Sequence, residues 1–431
     1  MVLSALTFFV YTARLRTSPE QRQNPISSFI LHAQRSSFLI ASAVFGGLAA
    51  LTKAPGPFMA IFVVGMSLLY AGLEWRGKST FNVHWLVVIL TWGLVSLVTF
   101  VLLWPAMWVD PLGTVQRMLS ETVGKVEEGH LVYFFGQPTL DPGLWFYPYV
   151  IPFRLTPITL IGTLISLILL FPKVSALAWS VNISQPDQNT PSKSFYVLRF
   201  TFYVLWLFFL SLLLFGILSP KKQDRYLLPL FPLLDLLAAA GWIGLFKLVQ
   251  YYLLRQKISS LSLLPTPYSL LPISFSLLLL FLHFIPVITY YPYYLTYFNP
   301  LMGGPVRAAQ TTLMGWGEGM ELAAAYLNQK PDAGRLYVAS TPSQTLLPYF
   351  AGTGENFYTN DIAFRADYVV LYLAQMQRLA PSPEIVAYFQ AQQPEKIITI
   401  HDVPYAKIYP GPKLILADTP PDATPANTRS G

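Results

Sequence analysis

Through the first two-thirds of the chain, long apolar runs alternate with short polar ones; through the last third the runs shorten and break up. A helix needs about 20 largely apolar residues to cross the hydrocarbon core of a bilayer. That measure predicts membrane-crossing helices over about residues 37–53, 57–73, 84–104, 151–172, 198–218, 227–249 and 268–290. A further apolar stretch, Val2 to Leu15, is too short to cross alone and reads as the second half of a span that begins before Met1. From residue 291 onward, turns, charges and short β-type runs appear. Glu318 to Asn328 predicts an amphipathic helix after the turn Gly315-Trp316-Gly317-Glu318-Gly319. Arg335–Ser340, Tyr368–Tyr372, Lys396–Ile400 and Ala406–Tyr409 predict strands.

The expected fold class is therefore a multi-span α-helical membrane protein with a small C-terminal α/β domain. Its expected divisions are a helical part over 1–290, an α/β part over 291–418, and a tail over 419–431 whose Pro, Asp, Thr, Ala, Asn and Ser predict disorder. Composition agrees. Of 431 residues, 54% are hydrophobic and 11% charged, where soluble domains carry about 25% charged residues. So little polar surface cannot cover a water-exposed fold, and lipid must solvate most of the chain. The net charge of +7 then reads as basic cytoplasmic loops and not as a nucleic-acid surface. With no cysteine, disulfides, thiolate chemistry and cysteine metal sites are excluded. Residues 1–13 lack the basic region and cleavage site of a secretory signal.

Charge also orients the spans. Arg14, Arg16, Arg22 and Arg35, then Arg76 and Lys78, then Lys173, Lys193 and Arg199, then Lys247, Arg255 and Lys257 fall in alternate loops, which the positive-inside rule assigns to the cytoplasm. The loop 105–147 and everything after about residue 291 are then expected outside. In the outer loop, Asp110, Glu121, Glu127, Glu128 and Asp141 stand against Arg117 and Lys125.

Several cations break the rule. Lys53 ends an apolar run on the outer side, and Lys221, Lys222 and Arg225 lie in the short outer loop from Ser219 to Tyr226. One reading is a phosphate site, since Arg offers a planar fork and Lys a point charge to phosphate oxygens. The other is snorkelling side chains, or ion pairs with Asp224 and the acidic loop. In the loop 105–147, Val115–Val132 can form a helix along the interface, with Leu119, Val123 and Val126 on one face. Glu127, Glu128 and His130 follow, then Tyr133-Phe134-Phe135-Gly136-Gln137. A Glu–His pair can serve acid–base chemistry or help bind a metal; a solvated loop face is the alternative. The run Tyr290–Tyr297 reads as an interfacial aromatic belt or a sugar-binding surface. His32, His84, His283 and His401 read as structural. The sequon Asn182-Ile183-Ser184 falls in an expected cytoplasmic loop, where it would not be glycosylated. No phosphate-binding loop, nucleophile elbow, zinc-protease helix or dinucleotide fingerprint is present.

Four segments together resemble a family. Gly46-Gly-Leu-Ala-Ala-Leu-Thr-Lys-Ala-Pro55, Trp104-Pro-Ala-Met-Trp-Val-Asp-Pro111, Asp224-Arg-Tyr-Leu-Leu-Pro229, and Tyr293-Tyr-Leu-Thr-Tyr-Phe-Asn-Pro300 followed by Gly315–Gly319 are similar to polytopic GT-C glycosyltransferases. The nearest branch is the protein O-mannosyltransferase and aminoarabinose transferase group, glycosyltransferase family 39 and its bacterial relatives. The resemblance implies sugar transfer from a polyprenyl-phosphate donor to a protein, lipid or glycan acceptor at the outer face of a bacterial plasma membrane, with no cofactor. It implies that Lys53, Lys221, Lys222, Arg225 and Tyr226 hold the donor phosphate, and leaves Asp110, Glu127, Glu128 and His130 as candidate substrate-loop residues. The family's catalytic carboxylate is expected upstream of Met1, so the chain reads as lacking an N-terminal part. The alternatives are a transporter or flippase subunit for lipid-linked intermediates, and a non-catalytic glycan-binding membrane protein.

Overall fold

The structure, a computed structural model, describes residues 25–52, 56–77, 84–127, 131–180, 193–255, 270–357 and 360–412. Lys53, Glu128, His130, Asn182, the stretch Val2–Leu15 and the tail 419–431 lie outside these residues, and Glu127 is described only as part of a helix. The chain forms two compact units, Met1–Gly129 with Ile158–Leu279 and His130–Pro157 with Leu280–Gly431. Beside the expected division at residue 290, residues 130–157 fall in the unit that contains the sheet.

Five described helices are long and apolar enough to cross a membrane: Phe58–Trp75, His84–Leu102, Arg199–Leu218, Leu230–Tyr252 and Pro272–Thr289. This is the architecture of a helical membrane protein. The first expected span is the apolar part, Ser36–Thr52, of a longer helix Pro25–Thr52. The expected continuous span 151–172 is not one. It is divided among helices Phe146–Arg154, Pro157–Ile168 and Pro172–Ser180, and the last two are bent by 113°. Prolines explain the breaks. Pro157 and Pro172 have no N–H to extend a preceding helix, and each pushes its predecessor toward extended backbone. If the bent pair is one span, the total is six.

Small residues set how the helices meet. An added Cβ would lie 2.4 Å from the Trp92 ring at Gly46, and 2.5 Å from the Ser96 carbonyl at Gly47. Helix Pro25–Thr52 therefore lies close against His84–Leu102. There Trp92 Nε1 donates to Ser42 Oγ at 3.0 Å and Ser96 Oγ to the Ala43 carbonyl at 2.7 Å. Gly241 approaches Gly162 in the same way, with 2.0 Å from a would-be Cβ to the Gly162 carbonyl. Lipid is as apolar as leucine, so close backbone approach and interhelical hydrogen bonds take over the role of the hydrophobic effect. The helix expected along the interface runs over Pro111–Glu127, not 115–132, and leaves Leu112 and Leu119 exposed.

In the other unit, β1 (Val132–Phe134) and β2 (Gln137–Thr139) form an antiparallel hairpin. The main sheet contains β3 (Tyr337–Ser340), β4 (Thr353–Asn356), β5 (Tyr368–Tyr372), β6 (Lys396–Ile400) and β7 (Val403–Pro410) in the order β4-β3-β5-β7-β6. β4, β3 and β5 are parallel; β7 is antiparallel to β5 and β6. Strand β4, Thr-Gly-Glu-Asn, has no apolar residue to announce it. Strand β5 shows how the unit is built. Tyr368, Val370 and Tyr372 enter one core with helix Met320–Leu327. Val369 and Leu371 enter a second with Ile385 and Phe389 of helix Pro383–Gln390. Alternate residues point to opposite faces, and both faces are covered.

Candidate functional site

The helical unit brings four of the expected phosphate residues together. Helices Lys193–Leu218 and Leu230–Arg255 are joined by a turn that includes a 3-10 segment, Asp224–Leu227. Leu227 is buried against Gly216, where a Cβ would come within 2.9 Å of it. Ser219 Oγ donates to the Lys221 carbonyl at 3.2 Å, and the Arg225 N–H donates to Asp224 Oδ1 at 2.7 Å. These contacts shape the turn. Lys222 is 5% exposed, while Lys221, Arg225 and Tyr226 are half-buried. The Arg225 guanidinium lies 5.8 Å from the centre of the Tyr226 ring. Lys222 and Arg225 thus stand three residues apart in one turn, beside the Asp224 carboxylate; both are side chains that can bind phosphate oxygens.

Asp235 is not among the expected site residues. It lies early in the apolar part of helix Leu230–Arg255, and Thr159 Oγ1 donates to its Oδ1 at 2.9 Å. That bond ties this helix to Pro157–Ile168. A carboxylate within an apolar run was the available signal. Asp110, by contrast, has a local task. Its Oδ1 accepts from the Gly113 N–H at 2.9 Å at the start of helix Pro111–Glu127, and its Oδ2 pairs with Arg117 at 3.2 Å.

In the sheet unit, the Gly315–Gly319 turn is built around a buried phenol. Tyr372 Oη accepts from the Gly317 N–H at 2.9 Å and donates to Glu318 Oε2 at 2.8 Å. The same carboxylate oxygen accepts from the Trp316 N–H at 2.7 Å. Gly315 and Gly317 have φ of 98° and 113°, a region that side chains avoid. A Cβ at Gly315 would also meet the Tyr372 ring at 2.6 Å. Burial, then the Glu318 carboxylate, pushes the Tyr372 phenol far above its ordinary pKa.

The Tyr290–Tyr297 run divides in two. Tyr291 and Tyr294 are 72% and 51% exposed, as a belt requires. Tyr293 instead donates to Glu321; burial and that carboxylate push its pKa to about 12. The Tyr290 ring packs tilted against His401, with centroids 4.3 Å apart. His401 Nδ1 lies 3.0 Å from Thr296 Oγ1, and its Nε2 lies 3.3 Å from the Thr289 carbonyl. His283 Nε2 lies 3.2 Å from Thr156 Oγ1. Both histidines have the local partners of structural residues.

The Tyr133–Gln137 run forms the hairpin turn, with Phe135 and Gly136 at φ of 48° and 85°. The Phe135 N–H donates to the Thr311 carbonyl at 3.0 Å. Beside it opens a cleft of about 330 Å³ whose walls include Tyr133, Gly136, Gln377, Gln390 and Lys407. Gln377 is fully engaged: its Oε1 accepts from the Met314 N–H, and its Nε2 donates to the Ala309 and Thr312 carbonyls. Of the polar walls, that leaves Tyr133, Gln390 and Lys407 to face an occupant. Nothing in the local sequence marked Gln377 or Lys407; only the fold brings them to the hairpin.

Compared with known proteins, the chain matches no protein-family model and no curated protein.

Proposed function

We propose that this chain is a membrane glycosyltransferase that takes sugar from a polyprenyl-phosphate donor at the outer face of a bacterial plasma membrane. The observation that carries the reading is the Lys221–Tyr226 turn, where a withdrawn ammonium and a guanidinium adjoin the ends of two apolar helices. A lipid-linked phosphate has its charge at this boundary and its chain in the hydrocarbon.

In the reaction, an acceptor hydroxyl attacks the anomeric carbon. The bond from that carbon to the phosphate oxygen breaks, and the phosphate leaves with the electron pair. Lys222 and Arg225 would stabilise the charge that grows on the leaving oxygen, the kind of interaction that strengthens toward the transition state. The acceptor proton passes to a general base. The acceptor is a hydroxyl of a protein, lipid or glycan.

The test is binding of a short-chain polyprenyl phosphate to purified protein in detergent micelles. Lys222→Gln and Arg225→Gln should each weaken it about 10- to 100-fold, the range for loss of a hydrogen bond to a charged group. The uncharged polyprenol should not compete. Equal affinity in wild type and both variants would remove the phosphate site.

A second reading has one observation in its favour. The 113° break between Pro157–Ile168 and Pro172–Ala178 is the kind of discontinuous helix that transporters use around a substrate. Under that reading, proteoliposomes would move a fluorescent polyprenyl-phosphate lipid between leaflets with no acceptor present; under the first they would not.

A further inference from the structure

We propose that the loop Leu140–Trp145 is a membrane-docking element that seats the sheet unit on the interfacial layer of the bilayer crossed by the chain's own helices. Leu140, Leu144 and Trp145 are 58%, 62% and 75% exposed, and Phe135 at the hairpin tip is 52% exposed. Isolated exposed apolar residues are ordinary. Three within six residues, ending in a tryptophan, call for an apolar or interfacial partner.

Three further observations select lipid as that partner. First, between Leu131 and Phe153 the only Asp, Glu, Lys or Arg is Asp141. Its charge is turned onto the loop's own backbone, with Oδ1 accepting from the Gly143 N–H at 2.9 Å. The Asp141 N–H in turn donates to Thr139 Oγ1 at 3.2 Å, and that hydroxyl donates to the Asp141 carbonyl at 3.0 Å. Backbone groups satisfied within the loop lower the cost of leaving water.

Second, the segment is tied at its far end to a membrane-crossing helix within the same unit. Thr156 reaches His283 at 3.2 Å, about 9 Å along the axis from the helix end at Thr289, given a rise of 1.5 Å per residue. Arg154 donates to the Leu295 carbonyl at 3.2 Å, and Tyr297 Oη to the Leu155 carbonyl at 3.3 Å. Third, Trp145 directly precedes helix Phe146–Arg154, about 14 Å along the axis from Arg154 by the same rise. The loop is therefore held within reach of the polar layer that flanks the hydrocarbon core. A water-soluble partner would need none of these features, and the loop's one charge, Asp141, is engaged with the Gly143 N–H.

This inference rests on the chain being a membrane protein and is independent of the glycosyltransferase reading. The absence of cysteine makes the test direct. Single variants Leu144→Cys, Trp145→Cys, Leu94→Cys and Ile397→Cys of the full chain are labelled with a nitroxide. They are then reconstituted into phosphatidylcholine–phosphatidylglycerol vesicles. Collision with oxygen and with a water-soluble nickel chelate is read by electron paramagnetic resonance. Leu94 sits exposed in a membrane-crossing helix, and Ile397 sits exposed on strand β6. Labels at 144 and 145 should shift toward the high oxygen-to-nickel ratio of position 94 and away from position 397. A ratio equal to that at 397 overturns the proposal. Low collision with both reagents also overturns it, since that reports a protein partner such as a second copy. If position 94 itself collides freely with nickel, the membrane reading fails, and that failure is distinguishable.

Discussion

Helix His84–Leu102 and strand Tyr368–Tyr372 are both almost wholly apolar, yet they are treated in opposite ways. The helix buries Trp85, Val88 and Trp92 and leaves Leu86, Leu90, Leu94 and Leu97 exposed. The strand buries every residue. The difference is one of solvent. A helix satisfies its own backbone and can present leucines to lipid, whereas a strand needs neighbours on both edges and, here, a core on both faces. Glycine follows the same division. In the helical unit Gly46 and Gly241 let helices touch; in the sheet unit Gly315 and Gly317 let the chain turn around Tyr372.

Five substitutions would break or sharpen this contrast. The largest effect is expected from Phe389→Ala in the fully buried second core, which should cost about 3–5 kcal/mol by chemical denaturation. An exposed leucine of the helical unit, as in Leu94→Ala, should cost far less in the same assay. Equal costs would mean that lipid does not take the place of a protein core there.

Gly241→Ala sets a methyl group against the Gly162 carbonyl and should destabilise the helical unit by about 1–3 kcal/mol. It would be read as a lowered Tm in micelles. An unchanged Tm would show that the two helices can separate without loss.

Tyr372→Phe leaves the Gly317 N–H without its acceptor and should cost about 1–3 kcal/mol. It carries a pH signature too. Burial holds the Tyr372 phenol protonated well above its ordinary pKa. Its contribution is complete below pH about 10, where the unfolded phenol titrates, and declines as pH rises beyond that. The alkaline loss of stability should therefore be shallower in Tyr372→Phe by about 1.4 kcal/mol per pH unit.

The smallest effect belongs to the surface of the sheet unit, where Lys330 pairs with Glu395. Burial pushes the Glu395 carboxyl up, but hydrogen bonds from Lys330 and Tyr326 outweigh it and leave the carboxyl below its ordinary pKa. Lys330→Met should cost under about 1 kcal/mol. The difference should vanish as pH falls below about 4, since a depressed carboxyl contributes only above its titration range. A difference that persists at lower pH would point to packing by the lysine stem instead.

Much of this could be read from the residues alone. Apolar runs of membrane-crossing length are a local property, because a helix closes its hydrogen bonds within itself; five of the expected spans therefore appear close to where the pattern put them. Strands β5 and β6 were legible from their dense β-branched and aromatic residues. The cationic turn was legible because charge beside an apolar run is conspicuous in one dimension. What could not be read depends on partners distant in the chain. Strand β4 is polar and exists because β3 pairs with it. The span over 151–172 is as apolar as its neighbours, yet its prolines and its contacts with Leu295 and Asn299 place its first part in the sheet unit. Composition and period determined that lipid must solvate this chain and where its helices run. Tertiary structure alone decided which loop joins which unit, that Tyr372 organises the glycine turn, and that Leu140–Trp145 is left facing outward. Those outcomes turn on contacts between residues far apart in sequence, which local pattern does not encode.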